Sequence, residues 1–300
     1  STNDNEVNYV SNIAPGVFNQ DYRYITTGYN GKLAFNGSAQ YGDNLYLGLN
    51  LNSHFINFEK YTGFRENNTN SGSIVNTVSF ENNLATNGTG FSFQLGAIAK
   101  LSDEFRVGLT YNSPTWYRFT EELVQNISSN NADPDIIYIG DIINVFPEYK
   151  LQTPGKLTGS LAYVFGEKGL ISFDYSRKDF GNTKFKPTSD AYFASQNAII
   201  SNDLKIASTY KIGGEYRYKQ MSFRGGYRLE ESPYKNDSFY GDLKGYSLGL
   251  GYNFGNIKLD VAFDQSDREI DHQLYSVGLT DAAKIDTKNT NITLSLAFTL

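Results

Sequence analysis

The last ten residues, Asn291-Ile292-Thr293-Leu294-Ser295-Leu296-Ala297-Phe298-Thr299-Leu300, alternate without a break. Ile292, Leu294, Leu296, Phe298 and Leu300 are apolar, and the residues between them are small or polar. Successive side chains of a strand point to opposite faces, so one face of this segment must meet an apolar phase. The segment ends on that phase without a capping turn, and its edge needs a partner elsewhere in the protein. A closed barrel supplies one. The small polar face suits a solvated surface or a water-filled interior, so this strand alone allows a soluble sandwich or a membrane barrel.

The same alternation recurs upstream. Leu33, Phe35, Gly37, Ala39 and Tyr41 share one face, the turn Gly42-Asp43-Asn44 reverses the chain, and Leu45, Leu47, Leu49 and Leu51 share a face on the return. Further pairs are Phe91 to Lys100 with Phe105 to Phe119, Lys156 to Phe165 with Leu170 to about Lys184, Leu204 to Tyr218 with Met221 to Leu229, and Lys244 to Phe254 with Ile257 to about Asp267. Pro114 interrupts the far end of its strand, where a bulge or a sheet edge is the usual setting. Long connections are expected at about 61–89, 120–149, 186–202, 231–242 and 273–285, with an irregular polar segment at 1–31. Short turns therefore fall at one end of the strands and long loops at the other. Outer-membrane barrels are built this way, with an apolar outer band and a polar lumen, whereas sandwiches have shorter strands and distribute their loops. The expected fold is all-β: a single transmembrane antiparallel up-and-down barrel domain, with about eleven strands in this chain.

Composition agrees. The 300 residues include 23 Tyr and 21 Phe against one Trp, one Met and no Cys, and mean hydropathy is -0.44. No run approaches the roughly 18 apolar residues of a membrane helix, which leaves spanning by strands open. Lack of cysteine excludes a disulfide framework, a thiolate nucleophile and a zinc knuckle. A net charge of -6 without a basic block argues against a nucleic-acid partner.

Parity adds an expectation. If the C-terminus is periplasmic, each short turn is periplasmic, each long loop is extracellular, and residues 1–31 belong to an external loop. Single-chain bacterial barrels have an even number of strands. About eleven strands then imply an odd number upstream, supplied by an N-terminal fragment of the same barrel. A strand-like stretch at Asp21 to Thr27 is the feature most able to change this count.

The order of segments resembles the FadL/TodX family of outer-membrane transporters of long-chain fatty acids and hydrocarbons. The resemblance is carried by Gly88-Thr-Gly-Phe-Ser-Phe-Gln-Leu-Gly-Ala-Ile-Ala-Lys100, Arg106-Val-Gly-Leu-Thr-Tyr-Asn-Ser-Pro-Thr-Trp-Tyr117, Leu151-Gln-Thr-Pro-Gly-Lys-Leu-Thr-Gly-Ser-Leu-Ala-Tyr163, Gly169-Leu-Ile-Ser-Phe-Asp-Tyr175 and Gly213-Gly-Glu-Tyr-Arg217. It implies a C-terminal portion of a 14-stranded barrel. The missing fragment would hold about three strands and a hatch, the plug at the N-terminus of such barrels. It also implies a bacterial outer-membrane location, passive uptake of hydrophobic small molecules, no enzyme activity and no cofactor. Partners would be membrane lipid, a hydrophobic ligand or detergent, and other outer-membrane proteins. The terminal Leu300 stands where an aromatic residue is usual in outer-membrane barrels. A structural or partner-binding barrel without transport, and a general porin, remain the alternatives.

Two groups of residues could carry function. Charges of both signs fall on the polar face, among them Arg106, Glu215, Arg217, Arg224, Arg228 and Asp260. They could be a network that stiffens the wall, or a polar track and docking surface for a hatch. The stretches Asp135 to Phe146 and Ala191 to Ile200 are too apolar for simple loops. They could pack on each other over the mouth, or line an apolar capture pocket with Trp116, Tyr117, Tyr138, Phe146 and Phe193 as contacts. His54 and His272 lack the clustered spacing of a metal or haem site, and their Ser and Asp neighbours are common chance pairings, so neither supports catalysis.

Overall fold

The computed structural model describes residues 13–130, 138–237, 239–273 and 281–298. Its strands are β1 (Phe18–Tyr41), β2 (Leu45–Asn68), β3 (Thr77–Lys100), β4 (Phe105–Asn112), β5 (Trp116–Ser129), β6 (Tyr138–Gln152), β7 (Lys156–Val164), β8 (Gly169–Asp179), β9 (Lys184–Lys186), β10 (Ile206–Tyr218), β11 (Met221–Glu230), β12 (Leu243–Asn253), β13 (Ile257–His272) and β14 (Ala283–Phe298). Among the described residues one α-helix, α1 (Ala191–Asp203), interrupts the series.

All fourteen strands belong to one sheet. From β14 the order runs through β13, β12, β11, β10, β8, β7 and β4 to β3, with β2 beside β3 and β1 beside β2. The ladders from β3 to β14 along this path are antiparallel. Among the described residues β1 is laddered to β2 and β14 to β13, and no ladder joins β1 to β14.

Two strands of the wall are interrupted side by side by proline. β4 leads into β5 through Ser113-Pro114-Thr115, and β6 leads into β7 through Thr153-Pro154-Gly155. Proline brings no N–H to a ladder, and the hydroxyls next to it replace the lost pairing. Ser113 N–H donates to the Phe93 carbonyl and its Oγ accepts from Phe93 N–H, both at 2.9 Å. Thr115 N–H donates to Thr153 Oγ1 at 3.1 Å, and Thr153 N–H to the Thr115 carbonyl at 3.0 Å. Counting each interrupted pair once, and omitting the three-residue β9, leaves eleven wall strands, the number read from the alternation. Pro114 sits inside the sheet and not at an edge.

The chain divides into two compact units. The larger comprises 33–53, 90–117 and 150–300. Its apolar rows are exposed: Leu248 keeps 60% of its surface accessible, Ile292 75% and Leu294 65%. A cross-strand set such as Leu250, Val261 and Leu294 lies on one face, because Val261 stands opposite both of the others. An exposed apolar surface this continuous is stable only against another apolar phase. The ladder of β10 on β11 puts Gly213 opposite Gly226 and Gly214 opposite Gly225, so the wall there is bare backbone on both faces.

The smaller unit comprises 1–32, 54–89 and 118–149. Here Phe119 is buried over Gly88, where an added Cβ would come within 2.4 Å of its ring, and Tyr149 packs on Phe119 at 5.7 Å. Burial first, and then the hydrogen-bonded Glu121 carboxylate, push the Tyr149 phenol above its ordinary range. At Gly28 φ is +129° and a Cβ would meet the Asn57 carbonyl at 2.1 Å, so close backbone approach requires glycine there.

The structure redraws several expected loops. Residues 1–31 are not loop throughout, because β1 begins at Phe18 and absorbs the stretch Asp21 to Thr27 without adding a strand. The connection expected at 61–89 shrinks to 69–76, since β2 runs to Asn68 and β3 starts at Thr77. Much of 120–149 is strand in β5 and β6. Of 186–202, most is α1. The apolar alternation fails in these extensions because apolar residues fall on both faces, with Phe55 beside Ile56 in β2 and Ile142 beside Ile143 in β6, while ladder hydrogen bonds need no apolar face. β1, β2 and β3 have 24 residues each, against roughly 9–11 for a bilayer crossing. The segments 131–137 and 274–280, and the terminal Thr299-Leu300, lie outside the described residues.

Candidate functional site

The polar face of the larger unit carries a charge network whose geometry follows from the ladder register. Glu215 of β10 stands directly opposite Arg224 of β11. Its carboxylate accepts from Arg224 Nε at 2.5 Å through one oxygen and from Arg217 Nε at 2.5 Å through the other. Arg224 then reaches past β12 and donates from Nη1 to Asp260 Oδ1 on β13 at 2.6 Å. Lys258 approaches the second Asp260 oxygen at 3.9 Å, and Arg228 makes a longer parallel pair with Asp264 at 3.8 Å.

The reach across β12 depends on its glycines. A Cβ at Gly249 would stand 3.2 Å from Arg224 Cβ, and one at Gly245 2.9 Å from Arg228 Nε. At Gly251 it would lie 2.3 Å from Asp260 Oδ1. These three glycines fall on one face of β12 and leave room there for the Arg224 and Arg228 side chains. The sequence carries the signal, Gly245, Gly249 and Gly251 in period two, but its meaning depends on knowing that β11 and β13 flank β12. Four of the six expected network residues, Glu215, Arg217, Arg224 and Asp260, are thus in one cluster, and Arg228 is in the neighbouring pair. Arg106 stands apart, opposite Ala162 on β7, with its Nε buried and without a hydrogen-bond partner among the described residues.

Beside the charges lies an open cavity of about 530 Å³, lined by Asp174, Lys211, Arg224, Arg228 and Asp264 among others. Between β1, β2 and β3 the polar face carries neutral side-chain pairs. Asn36 Nδ2 donates to Asn50 Oδ1 at 2.6 Å, Asn50 Nδ2 donates to Gln94 Oε1 at 3.0 Å, and the buried Asn52 donates to Ser92 Oγ at 3.3 Å. One part of the face is a ladder of amide side chains and another a fixed charge array.

The expected apolar contacts do not form one cluster. Trp116 stacks on Phe91 and Phe93 at 6.5 and 6.4 Å, and Phe93 touches Tyr111 at 6.2 Å, which places the indole with the exposed apolar rows. Tyr117, the next residue, points to the other face and covers Gly90. Phe146 is exposed, two residues before Glu148, which pairs with Arg118 at 3.9 Å. Phe193 of α1 stacks on Phe185 of β9 at 5.7 Å. The Tyr138 side chain lies outside the described residues.

Local chemistry explains α1. Asp190 caps it, accepting from Tyr192 N–H and Phe193 N–H at 2.9 and 3.1 Å. Asn197 on the helix then binds both backbone groups of Phe185, at 2.8 and 2.9 Å, and so covers the edge of β9. The described residues hold no group of three or more potential metal ligands.

The family described as outer membrane protein transport protein (OMPP1/FadL/TodX) matches residues 7–299. Among solved structures, the toluene transporter TbuX of Ralstonia pickettii is similar at 14% identity and a TM-score of 0.52, over 93% of this chain and 69% of that one. A FadL homologue of Pseudomonas aeruginosa is similar at 14% identity and a TM-score of 0.53, over 92% and 67%. The toluene transporter TodX of Pseudomonas putida gives 12% identity and a TM-score of 0.50, over 96% and 91%. At such identities the likeness is one of fold. No curated protein sequence matches.

Proposed function

The chain belongs to the outer membrane protein transport family (OMPP1/FadL/TodX), and on that premise we propose that it is a channel for passive uptake of hydrophobic small molecules such as long-chain fatty acids. The family is one of outer-membrane β-barrel transporters of hydrophobic compounds, not of enzymes, and the similar structures include toluene transporters. The observation that carries the reading is the two-faced wall of the larger unit. Its apolar rows stand exposed while the opposite face holds paired charges and a cavity, as a bilayer outside and water inside require. A hydrophobic solute enters at the external mouth, passes the polar face and leaves down its gradient. No energy source is needed.

We assign the short turns to the periplasm, with the C-terminus, and the long loops and α1 to the exterior. The edges of β1 and β14, not laddered to each other among the described residues, we assign to an N-terminal segment supplying a hatch and about three strands, which brings the wall to an even count. Cysteine pairs such as Ala39→Cys with Leu294→Cys test this. A cross-link joining β1 directly to β14 contradicts it.

One observation favours a partner-binding scaffold as the second reading. Residues 1–32, 54–89 and 118–149 form a compact unit of their own. Uptake of radiolabelled oleate and toluene by a Gram-negative host lacking its own such transporter separates the two. Expression of the protein should raise the initial rate of at least one solute several-fold. Unchanged rates, with the protein correctly inserted, favour the scaffold.

A further inference from the structure

The exposed apolar face of the larger unit gives way to lysine at one place. Leu157 of β7 stands opposite Tyr111 of β4, and Tyr111, Phe93 and Trp116 follow one another in ring contact. The next strands continue this row without an apolar residue. Thr115 and Thr153 are bonded to each other, so Trp116 lies beside Gln152 of β6, and Gln152 stands opposite Lys184 of β9. Two residues farther along both strands, Lys150 stands opposite Lys186. Ladder partners share a face, and so do residues two apart, so the three lysines lie on the face that carries Trp116. At roughly 3.4 Å per residue, Lys150 and Lys186 sit about 7 Å beyond the indole, on the side away from Leu157. Phe185, between two of the lysines, takes the other face and stacks on Phe193 of α1.

The chain does not neutralise these lysines. Among the described residues none of the three has a carboxylate within ion-pair distance. Glu148 pairs with Arg118, and Asp190 is used in capping α1. Lys150 and Lys184 are exposed and Lys186 is half-buried. Like charges directly opposed in a ladder destabilise it, as Lys150 and Lys186 are. Lys244 of β12, by contrast, stands opposite Asp267 of β13. A multiply charged anion between opposed ammonium groups converts their repulsion into charge-assisted hydrogen bonds. Position selects the anion. Aromatic side chains flank the apolar band of an outer-membrane barrel at each interface, so cations just beyond Trp116 stand at the level of lipid headgroups.

We propose that Lys150, Lys184 and Lys186 form a docking site for the phosphates of an outer-leaflet lipid, the lipid A of lipopolysaccharide, with its acyl chains along Trp116 and Phe93. The site concerns the lipid around the wall, and it rests on the assignment of the α1 end to the exterior.

Trp116 is the single tryptophan and reports on its own surroundings. The purified full chain in non-ionic detergent is titrated with lipid A and with lipid A stripped of its phosphates, and Trp116 emission is read. Each lysine near an anionic lipid surface is worth about fivefold in affinity, so lipid A should bind about tenfold more tightly or better. Added salt should weaken lipid A and leave the stripped form alone. The triple variant Lys150→Gln, Lys184→Gln and Lys186→Gln should bind both forms alike, whereas Lys244→Gln should keep the preference. Equal affinities in the wild type overturn the site, as does a preference that survives in the triple variant or is lost equally in Lys244→Gln. Phosphatidylglycerol binding as tightly as lipid A overturns the assignment to an outer-leaflet lipid. The lipid comparison and the salt dependence are read on the wild type, so a poorly folded variant does not spoil the test. A membrane-impermeant maleimide applied to intact cells carrying Thr188→Cys separates the premise from the site. Labelling is expected. Its absence overturns the exterior assignment and the site with it, while labelling without a lipid preference overturns the site alone.

Discussion

At the scale of residues, the charge network stands or falls with the space around it. Gly251→Val would drive a side chain into Asp260 Oδ1 and separate it from Arg224. The expected loss is about 1–3 kcal/mol, the usual range for breaking a partly buried charged hydrogen bond. It should appear as a lower melting temperature, and an unchanged one would mean that the Arg224 bridge contributes little. Tyr149 offers a pH test. Its phenol is held above the ordinary range by burial and then by Glu121, so the neutral form is favoured in the folded chain. That contribution is fully present below the unfolded tyrosine value of about 10 and is lost as pH rises through the folded value. Thermal melts at pH 8 and pH 11 should show a drop in the wild type that Tyr149→Phe reduces; equal drops would exclude a role for this phenol.

At the scale of elements, the paired interruptions at Pro114 and Pro154 depend on single hydroxyls. Ser113→Ala leaves the Phe93 N–H without its acceptor and should cost about 1–3 kcal/mol, with amide exchange accelerated at Phe93. Exchange at wild-type rates would show that another acceptor, such as water, serves equally well. Legibility in the sequence divides along the same lines. The strands of the larger unit were readable because one face of each meets an apolar phase, and Leu248 against Ser247 states that directly. The extensions of β1, β2, β3, β5 and β6 were not, because apolar and polar residues share both faces there, with Phe55 beside Ile56 in β2 and Ile142 beside Ile143 in β6, and strand leaves no period-two signature. Glu215 opposite Arg224 could be read across the Lys219-Gln220 turn, since a tight turn fixes register. The Arg224 to Asp260 bridge spans a third strand and needs the sheet order. Trp116 illustrates a different limit. Its face is set by how the chain resumes after Pro114, and composition says nothing about that.

At the scale of the whole molecule, the central claim is that the alternating rows separate bilayer from water. The chain has no cysteine, so single nitroxide labels can be placed at will. Labels at Leu248, Leu250, Leu294 and Leu296 sample one row, and labels at Ser247, Thr293 and Ser295 the other. In a lipid bilayer, collision rates with oxygen and with a water-soluble nickel chelate distinguish the two phases. High oxygen and low chelate access should be found at the four leucine positions, with the reverse at Ser247, Thr293 and Ser295, in strict period two along β12 and β14. Equal access of the chelate to both rows would contradict the account.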